Sequence, residues 1–390
     1  MNIVLFTHPG FVLSQSMPRF VDYLTEGMQS RGHHVEFWRP SPVFCRITES
    51  VLLKKWLGYI DQYILFPFEV RKRMKTCAPG TLFVFTDQAL GPWIPLAANR
   101  PHAIHCHDFL AQRSALGEIV ENPTSWTGQC YQAFIRNGYS KGKHFISVSQ
   151  TTRTDLHRFL PAPPVYSEVV YNGLNQQYVL HDIFKARNTL GDHIKLDLQA
   201  GYLLHVGGNQ WYKNRLGIIA LYNAWRASSA VKLPLLLVGQ IPNNQLIEAR
   251  NRSHYKENIF FLTDVNDSLV RLAYAGATVF LFPSLAEGFG WPIAEAMAAG
   301  CPVITTGEAP MTEVGGTAAF YIPRLSSVEC IITWANTGAQ VIKQVVELTL
   351  AQRKVVTDTG LLNATRFNAA VALNQVEIFY QHVLNTFESV

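Results

Sequence analysis

Charge is scarce in this chain: Asp, Glu, Lys and Arg make up 16% of its 390 residues, while 48% are hydrophobic. Soluble domains ordinarily carry about 25% charged residues, so much of the chain should lie in sheets covered on both faces. Disorder is excluded by the same composition. The net charge of +5, from 33 basic and 28 acidic residues, is too small and too scattered for a duplex-binding surface, so nucleic acid is not an expected partner. It suits phosphorylated ligands or anionic lipid heads better. No CxxC pair occurs among the six cysteines Cys45, Cys77, Cys106, Cys130, Cys301 and Cys330, and no histidines stand at zinc-finger spacing, which predicts reduced thiols in a cytoplasmic protein. No stretch reaches the ~18 uninterrupted apolar residues of a membrane helix. The apolar start, Met1 to Leu13, lacks a basic lead and is broken by His8, Pro9 and Gly10, so it makes a poor signal peptide. A GxGxxG fingerprint after a strand is also missing, which argues against a nicotinamide-dependent oxidoreductase.

What is present is a repeated alternation of short apolar runs with helical stretches. Asn2–Thr7, His34–Arg39, Thr81–Phe85, Ala103–His107 and His144–Val148 are each too short for an ordinary helix and read as strands, with a helix over Met17–Met28 stopped at Arg31-Gly32-His33. A proline cluster around Pro161 to Pro164 interrupts the pattern, and Val169–Asn175 reads as one more strand. The alternation restarts with Tyr202–Val206, Leu235–Val238, Ile259–Leu262, Thr278–Phe282 and Pro302–Thr305. These runs predict an α/β chain of two doubly wound, Rossmann-like domains with parallel sheets, at 1–180 and 181–366, followed by an amphipathic closing helix over 367–390. Two such domains offer a cleft between the carboxyl ends of their sheets, where open α/β folds bind ligands.

The most informative stretch runs from Phe282 to Thr305. A buried strand ends at Phe282, a loop follows with Glu287, Gly288 and Gly290, and Pro292 then suits the first turn of a helix because its missing N–H bonds nothing there. Ala294 to Ala299 favour that helix, and Gly300 with Pro302 ends it. Its amino terminus is an anion site. The glycines let backbone approach a phosphate at Phe289 and Gly290, while Glu287 and Glu295, eight positions apart, supply a carboxylate on each side of a diphosphate. That suits a nucleotide sugar, although an ordinary strand-to-helix turn has the same outline.

Glu287 and Glu295 at EX7E spacing, within EGFGWPIAEAMAAGCPVIT, resemble the signature of the retaining nucleotide-sugar glycosyltransferases of family 4, which have the GT-B fold. The likeness extends to Ser147-Val148-Ser149-Gln150 with Tyr171-Asn172-Gly173, and to the diphosphate loop from Leu204 through Lys213-Asn214. It implies an acceptor-side first domain, a nucleotide-sugar donor domain, and a closing helix that braces the first domain.

Carried over residue by residue, the resemblance gives Lys213 the charge of the leaving diphosphate, with Asn209 and Asn214 beside the donor. His107 comes to the donor sugar in preference to His105, although a lone histidine at a strand end is also compatible with a structural role. Gly10 lets backbone approach the phosphate or acceptor, Thr263 and Val265 flank the nucleobase, and Gly288, Phe289, Gly290 and Glu295 complete the donor site. The family also places an arginine in the diphosphate loop, where this chain has Tyr212 or Asn209, with Arg215 a weak substitute. Transfer in the family is described as front-face displacement in which the departing phosphate helps deprotonate the acceptor. No DxD motif occurs, so no metal and no cofactor are expected, with a UDP- or GDP-sugar as substrate. A saccharide or lipid-linked saccharide is the expected acceptor. The basic, aromatic segment 52–75 offers either peripheral membrane contact or a helix packed beside the acceptor. A GT-B nucleotide-sugar epimerase, which would use water as sole acceptor, and a non-catalytic sugar-nucleotide binder are the competing functions.

Overall fold

The computed structural model describes residues 1–11, 16–174, 178–326 and 330–388, apart from the side chains of 16, 51, 52 and 388. Asn175, at the end of one expected strand, and the Leu52 side chain therefore lie outside the described residues. The chain divides into two compact units: Met1–Ile119, Pro123–Asn175 and Ala369–Val390 form the first, and Val120–Asn122 with Gln176–Asn368 the second.

The first unit holds β1 (Asn2–Phe6), β2 (His34–Trp38), β3 (Leu82–Phe85), β4 (His102–Cys106), β5 (His144–Ser147) and β6 (Tyr166–Val169). All pairs are parallel, in the order β2-β1-β3-β4-β5-β6. β3 reads Leu-Phe-Val-Phe and is buried throughout, as a strand covered on both faces should be. Phe6 stacks on Phe85 at 4.5 Å between neighbouring strands. The last strand starts earlier than the expected Val169–Asn175. Tyr166–Val169 is a half-polar edge strand, Tyr-Ser-Glu-Val, without the apolar run that marks a central one. Its outer face is covered by the closing helix Ala369–Glu388, whose Phe379 stacks on Tyr166 at 4.9 Å and whose Tyr380 hydroxyl meets His105 Nε2 at 2.7 Å.

The second unit repeats the plan with β7 (Leu203–Val206), β8 (Leu235–Val238), β9 (Ile259–Leu262), β10 (Val279–Phe282), β11 (Val303–Thr306) and β12 (Phe320–Ile322). Here the order is β12-β11-β10-β7-β8-β9, again all parallel. In each sheet the chain winds outward in both directions from one central pair: β1 with β3, and β7 with β10. Loops leaving the carboxyl ends of such a pair diverge and open a crevice, the usual ligand position in open α/β sheets. No helix of the described residues is long and apolar enough to cross a membrane, and all six cysteines are free.

Candidate active site

In the second unit the diverging loops are 207–214 after β7 and 283–290 after β10. A single 3-10 turn, Trp211–Lys213, follows β7, and Lys213 Nζ donates to Glu287 Oε1 across 2.8 Å. Their side chains are 14% and 8% exposed, so the pair sits at the surface edge of a dry floor. Phe282 supplies that floor, its ring centroid 4.9 Å from the Lys213 ammonium. Leu285 N–H donates to the Tyr212 carbonyl at 2.7 Å, which ties the two loops together.

Asn214 sets the path of the first loop. It adopts the left-handed region at φ 51, its Oδ1 accepts from Gly217 N–H as the N-cap of helix Arg215–Ser228, and its Nδ2 donates to the Pro283 carbonyl at 3.0 Å. Both ends of its carboxamide are thus engaged inside the unit. Asn209 is held similarly: its N–H donates to Gln240 Oε1 at 3.0 Å, Nδ2 donates to the Ile241 carbonyl, and Oδ1 accepts from Arg215. Arg215 is buried, rests on the Asn209 oxygen and the Gln240 carbonyl, and has no carboxylate partner among the described residues. Burial lowers its pKa to about 10, so it stays a cation. Thr263 and Val265 follow the edge strand β9, on either side of Asp264 at φ 59.

After β10, Gly290 (φ 105) opens helix Trp291–Ala298, which has Pro at its first turn. No side chain caps this helix; Pro292 has no N–H, and Ile293 N–H donates to the Gly290 carbonyl at 3.0 Å. The Phe289 ring is buried against Phe367 at 5.5 Å, which leaves its backbone as the part that can meet a phosphate. Gly288 lies in the same loop. Glu295, one turn into the helix, accepts from the Tyr274 hydroxyl at 2.9 Å. Tyr274 is fully buried on helix Asp267–Gly276, and no sequence motif marked it. Among the described residues, Ser284 Oγ and Trp291 Nε1 are buried here without a hydrogen-bond partner.

His107 and Gly10 belong to the first unit and the other expected site residues to the second. His107 follows β4; its Nε2–H donates to the Thr86 carbonyl at 2.9 Å, its backbone N–H donates to Gln88 Oε1, and its ring meets Phe20 edge-on. Burial lowers its pKa against the pull of Asp87, so it is neutral. His105 is deeper and pushed down to about 3 by burial, a structural residue of the closing-helix contact. Gly10 is exposed, and a Cβ there would meet nothing nearer than Arg39 Nη1 at 3.7 Å. An unexpected pair stands beside it: His8 Nε2 lies 2.9 Å from Asp87 Oδ2.

Residues 17–178 match the family profile described as Glycosyltransferase Family 4, and residues 200–332 the one described as Glycosyl transferases group 1. Among curated relatives, O-antigen chain mannosyltransferase B of Escherichia coli is 34% identical over 123 residues, 30% of this chain and 32% of that one. O-antigen chain mannosyltransferase RfbU of Salmonella typhimurium is 24% identical over 202 residues, 51% of this chain and 52% of its own. The chain thus spans about a third and about half the length of these relatives. HepE of Anabaena, solved in complex with UDP, superposes with a TM-score of 0.70 at 15% identity over 100% of both chains, a likeness of fold.

Proposed function

Because the chain belongs to glycosyltransferase family 4, we propose that it is a retaining glycosyltransferase that uses a nucleoside-diphosphate hexose. The acceptor is a saccharide or lipid-linked saccharide, in polysaccharide or glycolipid synthesis. One observation carries this: Lys213 and Glu287 meet at 2.8 Å where the β7 and β10 loops diverge, beside an uncapped helix amino terminus. An ammonium, a helix amino terminus and a carboxylate in one crevice match a diphosphate joined to a polyhydroxylated ring. Lys213 neutralises the charge that develops on the departing diphosphate, usually the largest catalytic term. The amides of Phe289 and Gly290 hold the phosphate next to Gly288, and Glu287, pinned by Lys213, orients the sugar hydroxyls. Glu295, fixed by Tyr274, takes the ribose hydroxyls. Asn209 and Asn214 act through the loop they hold, Thr263 and Val265 flank the base, and neutral His107 and Gly10 serve from the first unit. The acceptor oxygen joins the anomeric carbon on the face that the phosphate leaves, without a metal or other cofactor.

UDP- and GDP-sugars are the favoured donors; relatives named as mannosyltransferases support a mannosyl group, and UDP bound to HepE supports a uridine donor. The enzyme acts in the cytoplasm, at the inner face of the membrane. Membrane contact through 52–75 draws support from exposed Leu53, Trp56, Ile64 and Phe68 alongside exposed Lys54 and Lys55. Co-sedimentation with phosphatidylglycerol vesicles at low salt tests it; protein left in the supernatant removes it. For the donor, thermal melting with UDP-glucose, GDP-mannose and ADP-glucose is the first experiment. One of them should stabilise the fold by about 2.7 kcal/mol at a hundred times its Kd. A melting point unmoved by all three would sink the transferase function.

A further inference from the structure

At the carboxyl ends of β7, β8 and β9 the second unit carries a polar array that the chemistry at Lys213 and Glu287 leaves unused. Its anchor is Arg215, only 4% exposed and without a carboxylate partner among the described residues. Nη1 donates to Asn209 Oδ1 and, at 3.1 Å, to the Gln240 carbonyl, while the guanidinium carbon lies 5.5 Å from the Phe261 ring centroid. A buried cation persists where hydrogen bonds hold it, so both oxygens are fixed in return. The loop after β8 is thereby tied to the loop after β7. On its other side Gly239 N–H donates to the Leu262 carbonyl at 3.0 Å, at the end of β9. Gln240 therefore stands between Asn209, in the diphosphate loop, and Thr263, which follows β9.

The Gln240 side chain is oriented as well as placed. Asn209 N–H reaches its carboxamide at 3.0 Å and needs an acceptor, so the atom that faces it is Oε1. Gly208 leaves room for this contact, since a Cβ there would come within 2.9 Å of the same oxygen. With Oε1 occupied, what Gln240 offers a ligand is Nε2 and its two N–H groups. That nitrogen has no partner among the described residues and is not sealed from solvent. A group able to donate or accept has become a fixed donor.

Resting on the transferase function proposed above, in which Thr263 and Val265 flank the base, we infer that Gln240 is a specificity-determining residue for the donor nucleotide. It selects a base with a carbonyl at its distinguishing edge. Uracil differs from cytosine at C4 and guanine from adenine at C6, with oxygen in the first of each pair and an amino group in the second. Gln240 Nε2–H donates to that oxygen. Against an amino group it sets donor on donor, and neither finds an acceptor. The carboxamide cannot turn over to accept, because Asn209 N–H would then face an amino group. Arg215 is the positioning residue of this array.

Isothermal titration calorimetry of the whole chain with UDP, CDP, GDP and ADP reads the selection as a ratio within each pair. In the pair whose ring size the site takes, the carbonyl base should bind at least about 10-fold more tightly than the amino base. Gln240→Glu keeps an acceptor for Asn209 N–H and replaces the outward NH₂ by an oxygen. It should weaken every nucleotide through its charge and reverse the ratio in favour of CDP or ADP. Gln240→Leu should bring the two members of the pair level. A merely structural Gln240 would change affinity for all the nucleotides alike and leave the ratio in place. Arg215→Lys, which keeps the charge but not the planar fork, should narrow the ratio; a ratio unchanged there would remove Arg215 from the array. Equal binding of carbonyl and amino bases by the wild type, or the wild-type ratio retained in both Gln240 variants, would overturn the inference and leave the transferase function standing. Failure of the wild type to bind any of these nucleotides would instead fell the transferase function, and this selection with it.

Discussion

Lys213 and Glu287 depend on each other because neither is well hydrated. With side chains 14% and 8% exposed, each charge has given up most of its water for the other and for the Phe282 ring. Removing one partner strands the other, at a cost of about 1–3 kcal/mol given the residual exposure. Lys213→Met and Glu287→Gln singly should each destabilise by that amount, while the double variant, which leaves no unpaired charge, should regain most of it. Catalysis should follow the opposite pattern. Every one of the three variants loses at least about 10²-fold in kcat, because the charge on the leaving diphosphate or the grip on the sugar is gone. Urea denaturation beside nucleoside-diphosphate release separates the two effects; a double variant that recovers activity along with stability would show that the pair only holds the loops. Each of these residues was legible alone, as a lysine after a strand and an acid in a glycine loop. Their contact was not, because it joins positions 74 apart in the chain. The same holds for Tyr274 on Glu295 and for Asp87 on His8, where no local spacing announces the partner.

At the scale of elements, the helix Trp291–Ala298 was the clearest feature of the chain because its limits are set by backbone chemistry: Gly290 and Pro292 at one end, Gly300 at φ 78 at the other. The strands missed or displaced, β12 and β6, are a three-residue strand and a half-polar one, and both lie at sheet edges where neighbours rather than apolar runs decide. Gly290 tests what the helix start requires. At φ 105 an added Cβ would find room, with Ile293 Cδ1 at 3.4 Å, so the penalty is one of backbone conformation. Gly290→Ala should cost about 1–3 kcal/mol and weaken donor-induced stabilisation, because relief of the strain turns the first N–H groups of the helix. Gly307 makes the control: its φ is ordinary and its nearest contact is the Ile322 carbonyl at 3.5 Å, so Gly307→Ala should stay within about 0.5 kcal/mol. Equal losses in the two variants, read by urea denaturation, would refute the conformational account of Gly290.

Across the whole molecule, the low charge content that marks the sequence recurs as a set of histidines kept neutral by burial. His105 in the first unit and His205 in the second are each pushed down to about 3 by burial, and His144 to about 4. His205 Nδ1 meets the Leu281 carbonyl at 2.9 Å while its Nε2 is buried without a partner among the described residues, so no carboxylate among them offsets protonation. A base whose folded pKa lies below its unfolded value near 6.5 binds protons more readily when unfolded. Its stabilisation is complete above about 6.5 and is lost as pH falls toward 3, each factor of ten in proton affinity being worth about 1.4 kcal/mol. Asp87, also held low, adds to the loss only below the ordinary aspartate range, and His8, held high, acts in the opposite sense, its contribution fading as pH rises through its folded value. Melting temperature should therefore begin to fall at about pH 6.5, before most surface carboxylates titrate. His105→Gln and His205→Gln should each lower stability at pH 7 and flatten that fall, and the double variant should flatten it most. Calorimetry at several pH values reads the slope directly. If the double variant kept the wild-type slope, acid sensitivity would have to come from the carboxylates, and the neutral cores of the two units would not be what sets it.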